Sequence, residues 1–252
     1  MVGGRHRSAA TAFVSPIGNG WRGVFGNFST PDDRATIVMA CGDKAADDLV
    51  VNLRAQSRNK GARKRDERRA RFARIATQTA VQAAEQAGCK APPGQEINRV
   101  PNVPPLISMT PRGKATGTCT GINAPVLESV ADPLAPMEDC FVLDEKGEPS
   151  FRLAAYYGPF VQHGRVDTSV RGGTFTTPAG SSDGLYWTSV SCPKQGGTAF
   201  YTAETLRTSG TFTQPDAAAQ QAGLTHFVRR SAQAHGCSLR LAAAEGVGRE
   251  QR

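Results

Sequence analysis

The sequence predicts an α+β protein in which two β-β-α units flank a central β-hairpin, with antiparallel sheet and the helices packed on one face. Three observations predict it. A strand-like run ends at Cys41 and another at Cys192. Each is followed by a second strand-like run and then by a helical pattern that stops at a Gly-Cys dipeptide, Gly88-Cys89 and Gly236-Cys237. Between the two units, residues 140–143 and 151–157 read as hairpin arms, with Asp144-Glu145-Lys146-Gly147 supplying the turn chemistry.

Taken in order, residues 1–19 are small, polar and Gly-containing, and read as a mobile tail. Residues 20–110 form the first unit and its connection. Apolar character resumes at Trp21-Arg22-Gly23-Val24-Phe25. Residues 35–41 read as a buried strand and 49–53 as a second, joined through Gly42-Asp43-Lys44. Residues 62–87 read as a helix, with Phe72, Ile75, Thr79, Ala83 and Gln86 at helical spacing and Ala76, Ala80 and Ala87 beside them. Gly88 stands where a left-handed residue would end that helix. Pro92-Pro93-Gly94 and the prolines of 101–105 make a connection that neither helix nor central strand tolerates.

Residues 111–245 hold the hairpin and the second unit, and 246–252 a tail. Thr116-Gly117-Thr118-Cys119 opens this part. Residues 172–184 are rich in Gly, Ser and Thr, a loop with one short strand at 174–177. Residues 185–192 and 198–206 are the two strands. Pro215-Asp216 opens a helix that runs to His235, with Leu224, Phe227, Val228 and Ala232 on its apolar face.

The six cysteines admit fifteen pairings. Local pairing under one repeated rule selects Cys41–Cys89, Cys119–Cys140 and Cys192–Cys237. The outer pairs span 48 and 45 residues and would staple each unit from strand end to helix end. A loop of that length is worth about 4 kcal/mol by chain entropy. The composition gives such staples a purpose: hydrophobic residues make up only 39% and aromatics 7%, so the core is built from Ala and Val with few large anchors. Oxidised cysteines place the chain outside the cytoplasm, at the cell surface or secreted. No h-region follows Arg5 and Arg7, so the N-terminus is not a signal peptide as written. The expectation is either a soluble piece of a longer anchored protein or a start placed too late.

The net charge of +8 is local. Residues 54–74 carry ten basic and two acidic side chains, and the rest of the chain balances. Arg63, Lys64, Arg65, Arg68, Arg69 and Arg71 cluster at the start of the first helix, where cations oppose the helix dipole. They are candidate contacts for anionic polymer, lipid headgroups or a protein partner. Apart from Phe72, which belongs to the predicted core stripe, no aromatic interleaves them, so specific nucleic acid is disfavoured.

No catalytic constellation is coherent. Gly18-Asn19-Gly20-Trp21-Arg22-Gly23 matches the dinucleotide fingerprint, but Pro16 interrupts the preceding run and no helix can open at 26–31. Gly180-Ser181-Ser182-Asp183-Gly184 matches a nucleophile elbow, but a loop precedes it and a strand follows. A serine hydrolase using Ser182 with His226 or His235 is the rival from another class. A cytosolic nucleic-acid-associated protein with reduced cysteines is a third. Cys and His lack metal-ligand spacing, and neither a metal nor a cofactor is expected.

The order strand–Cys, strand, helix, Gly-Cys, with Trp21-Arg22-Gly23 ahead of it and residues 151–158 in the middle, resembles uncharacterised extracytoplasmic proteins of actinobacteria. In these a similar ectodomain usually follows a membrane segment. The resemblance spans residues 21–241 and rests on pattern. It implies an envelope setting, brings no activity, and leaves the ligand open. The sequence is therefore read as a non-enzymatic, disulfide-stabilised extracytoplasmic binding or structural module.

Overall fold

A computed structural model describes residues 13–27, 32–42, 47–56, 65–89, 92–101, 109–169, 175, 177–182, 184–206 and 216–238. The fold is α+β, with two antiparallel sheets and helices against them. The first sheet is a four-stranded meander of β1 (Phe13–Gly18), β2 (Trp21–Asn27), β3 (Asp32–Met39) and β4 (Leu49–Gln56). The helix α1 (Arg65–Gln86) covers one of its faces. The second sheet has six strands: β5 (Val126–Glu128), β6 (Met137–Leu143), β7 (Pro149–Tyr156), β8 (Ala179–Ser182), β9 (Leu185–Cys192) and β10 (Gly197–Thr205). Their spatial order is β5-β6-β7-β10-β9-β8. The helix α3 (Ala217–Ala234) packs on one face of this sheet, and the short helix α2 (Phe160–Ser169) packs on the other.

Both β-β-α units are present, one in each sheet. They close alike. In α1, Gly88 donates to the Glu85 carbonyl and Cys89 to Ala84; in α3, Gly236 donates to Gln233 and Cys237 to Ala232. Gly88 and Gly236 have φ of 71° and 67°, the left-handed region that an L side chain resists. Each helix thus ends in a Schellman motif with Gly at C′ and Cys at C″. The cysteine is thereby delivered back to the strand it bonds: Cys41 just beyond β3 pairs with Cys89, and Cys192 at the end of β9 with Cys237. Cys119 pairs with Cys140 in β6. These are the three local pairs that the spacing predicts. The second helix also starts as read, with the Asp216 carboxylate accepting from the Ala218 and Ala219 amides.

Four elements depart from the sequence reading. Residues 13–18 are not tail but a buried edge strand. The edge position tolerates Pro16, the residue that disguised the strand. Left-handed Gly18, Asn19 and Gly20 turn β1 into β2, so the glycine-rich motif is a hairpin turn. On α1 the buried stripe is Ala73, Ala76, Ala80 and Ala84, while Ile75 is 46% exposed. Small side chains let the helix lie close on the sheet, and size beats hydrophobicity in choosing the face. A short strand falls at Ala179–Ser182, and of the strand expected at 174–177 residues 174 and 176 lie outside the described residues. Finally, α2 follows the hairpin as a helix absent from the sequence reading. Gly164 masks its helical character but makes it fit, because a Cβ there would lie 2.5 Å from the Tyr156 ring.

The sheets meet where β1 crosses β6. The Phe13 and Phe141 rings stack at 5.2 Å, and the Val14 amide donates to the buried Asp139 carboxylate at 3.0 Å.

Candidate functional site

Alternation along the first sheet divides its residues. Phe25, Ala35 and Ile37 face α1, so Val24, Thr36, Val50 and Asn52 face the other way. That second face forms one wall of an open-sided cleft of about 490 Å³. Its deep end is apolar, formed by Val14, Val24 and Met137. Pro159, Phe160 and His163, at the start of α2, form the opposite wall. At the open rim stand Arg34 and Arg54, directly opposed on β3 and β4 and both exposed. One register step inward, the Thr36 hydroxyl donates to the Asn52 side-chain carbonyl. Among the described lining residues there is no carboxylate.

Contacts at the start and in the middle of α2 hold that wall in place. At its start Gly158 is left-handed (φ 54°), and a Cβ there would lie 3.3 Å from the Arg22 guanidinium. Arg22 in turn pairs with Asp48 at 3.2 Å, tying the turn to the first sheet. Further along, the Arg165 guanidinium lies 5.1 Å from the Phe200 ring centroid and donates to Ser189 at 3.3 Å.

Two buried acids occupy consecutive positions on β6 and serve opposite faces. Glu138 points toward α3. Arg230 donates to it at 2.6 Å and Ser231 at 2.5 Å, and His235 Nε2 lies 3.5 Å away. The Tyr157 hydroxyl bonds both Ser231 and the Tyr201 hydroxyl, and its ring stacks on His235 at 3.8 Å. Burial opposes the charge on Glu138, but the nearby His235 and the Arg230 guanidinium outweigh it and hold the carboxyl at about 2. Burial, with Glu138 nearby, raises both phenols, Tyr201 to about 12. Asp139 faces the first sheet and bonds Arg152 through the guanidinium Nε at 2.8 Å. Burial raises this carboxyl against the pull of Arg152. The first cluster brings together a serine, a histidine and an acid, but Ser231 is 0% exposed and closed to substrate. It is a structural network, and sequence reading missed it because its members are scattered over 98 positions.

The predicted anion contacts separate. Arg69 is buried, its guanidinium 4.7 Å from the Phe25 ring centroid and donating to the Pro101 carbonyl at 3.0 Å. It is therefore withdrawn from the candidate surface: cation–π contact and a carbonyl claim it. Arg74 likewise donates to the Ile97 carbonyl at 3.0 Å, so part of the basic run clamps the Pro-rich connection onto α1. Arg71 is exposed and Arg68 half-buried. Arg63, Lys64 and the Arg65 side chain lie outside the described residues. Ser182 pairs with Leu185 across the β8–β9 hairpin, with no helix after it, so the strand–turn–helix setting of an elbow is lacking there. His226 is exposed on α3, and His235 is engaged with Glu138. Among the described residues no group of three or more His, Cys, Asp or Glu could hold a metal ion, and no helix is long and apolar enough to cross a membrane.

No protein-family model, curated protein or solved structure matches the chain.

Proposed function

We propose that this chain is a non-enzymatic binding module of the cell exterior, kept folded by its disulfides and presenting a basic surface to anionic envelope material. The observation that carries the reading is that all six cysteines are paired within the fold, none of them free. Three internal disulfides suit an oxidising compartment. The resemblance to actinobacterial extracytoplasmic proteins supports the envelope setting, and the matched Gly-Cys closures support an origin by duplication of one β-β-α unit. Exposed Arg71 and half-buried Arg68, with the basic residues before them in sequence, support the anionic contact.

Thiol counting on protein isolated from its native host, alkylated before unfolding, tests the compartment. No free thiol is expected. Six free thiols would move the chain to the cytosol and bring nucleic acid forward as partner. Sedimentation with phosphatidylglycerol vesicles at rising salt tests the contact. Binding should fall steeply as screening shortens the reach of the charges to roughly 8 Å at physiological salt. No binding at low salt would sink the proposal.

A further inference from the structure

Residues 94–97 run beside α1 as a strap, and between strap and helix opens a groove of about 750 Å³, inside the roughly 300–1,000 Å³ typical of small-molecule sites. Gln78, Gln82 and Glu85 line it from the helix, and Gln95 and Glu96 from the strap. We propose that this groove binds a neutral polyhydroxylated chain, an oligosaccharide, through the carboxamides of the three glutamines and the carboxylates of the two glutamates.

Gln78, Gln82 and Glu85 stand at i, i+4 and i+7 on α1, which puts them on one helix face. Opposite them the strap is held through its backbone and the buried Ile97. The Gln95 amide donates to the Asn19 carbonyl at 2.8 Å, and the Asn19 side-chain amide donates to the Glu96 carbonyl at 2.7 Å. The Trp21 indole donates to the Gln95 carbonyl at 2.7 Å, and Arg74 to the Ile97 carbonyl at 3.0 Å. A Cβ on Gly94 would lie 2.5 Å from the Trp21 ring, so the strap sits directly on the indole. The groove is thus rigid without using the side chains that line it, which lowers the ordering cost of binding. All five of those polar side chains are exposed, and none bonds another described residue. A carboxamide donates and accepts, a carboxylate accepts, and a hydroxyl does both, so a polyhydroxylated chain engages every one of them. An anion would meet two carboxylates, and a cation would leave the amide donors idle. From Arg74 to Glu85 the helix rises about 16 Å, which suits an extended chain better than a single ring.

Calorimetric titration of the intact, oxidised protein with maltohexaose, cellohexaose and N-acetylchitohexaose tests this, with hexagalacturonate as the anionic and hexalysine as the cationic counterpart. At least one neutral hexaose is expected to bind saturably at one site, with a Kd of roughly 1 mM or tighter, and each charged probe more weakly. Q78A, Q82A and Q95A should each weaken that hexaose roughly three- to tenfold while leaving the melting temperature unchanged, since all three side chains are exposed. Q82W should fill the groove and abolish binding. Q221A, which removes an exposed glutamine of α3, should bind as the unmodified protein does. Heat from none of the neutral hexaoses, tighter binding of hexalysine or hexagalacturonate than of every hexaose, undiminished affinity in all three groove variants, or an equal loss in Q221A would each overturn the proposal. The vesicle assay reads charge and these titrations read a neutral ligand, so the two proposals fail separately.

Discussion

Glu138 shows how one buried charge sets a pH response. Its carboxyl sits near 2 in the fold against an ordinary 4.5, so it favours folding above the ordinary value. That contribution, about 3 kcal/mol, is lost as pH falls from the ordinary value through 2. Asp139 works in the opposite sense: burial raises it, so its charge weakens the fold and protonation relieves the cost. Acid sensitivity therefore belongs to the first acid. E138Q should lose about 3–5 kcal/mol at neutral pH, because it strands Arg230. In urea unfolding followed against pH, the gap between E138Q and the native chain should close below pH 4.5. A gap that stays constant to pH 2 would contradict the assignment. Neither acid announces itself in the sequence. The hairpin arm read from the sequence starts at Cys140, just past both acids, and only pairing with α3 on one side and β1 on the other explains two charges inside a strand.

At the scale of the element, α1 separates size from hydrophobicity. Ala76 and Ala80 are 0% exposed against the sheet, whereas Ile75 is turned outward. A76L should cost about 1–3 kcal/mol by overpacking, and I75K should change stability by less than about 0.5 kcal/mol. Chemical denaturation of the two variants checks the pair, and a reversed order would mean that the helix is rotated on its sheet. Helical extent was legible here, from the spacing and from Gly88. The buried face was not, because periodicity ranks residues by hydrophobicity while close approach selects the small ones. The cleft was illegible for a related reason. Its walls, β3–β4 and α2, are joined by no local pattern, and α2 itself was hidden by Gly164, whose bareness is what seats it on Tyr156. G164A should therefore loosen α2 and lower the melting temperature in thermal unfolding.

For the whole molecule the open matter is how two sheets behave as one. Each carries one of the two tryptophans, Trp21 in the first and Trp187 in the second. Single-tryptophan variants W187F and W21F therefore report on each half, and their unfolding curves should coincide. D139N removes the anion that the Val14 amide and Arg152 share, and should split the curves. Curves that remain superimposed in D139N would show that the Phe13–Phe141 stack suffices. Disulfides act at this scale too. Replacing Cys192 and Cys237 by serine should cost about 4 kcal/mol, measured by denaturant unfolding. The class and the two stapled units could be read from cysteine and glycine punctuation, because those signals are local. The division into two sheets could not, because it depends on β1, the strand that the proline concealed.

The neighbouring acids on β6 also bear on fidelity. A strand that slips by one residue sends every side chain to the opposite face. On the other strands such an error misplaces buried side chains such as Phe25, Ile37 and Phe200. On β6 it would bring Met137 opposite Arg230 in one direction or Cys140 opposite Arg152 in the other, so that one buried guanidinium loses its partner on β6. The pair works as a checksum for sheet assembly: a single-residue mistake at β6 strands a buried charge and becomes too costly to persist.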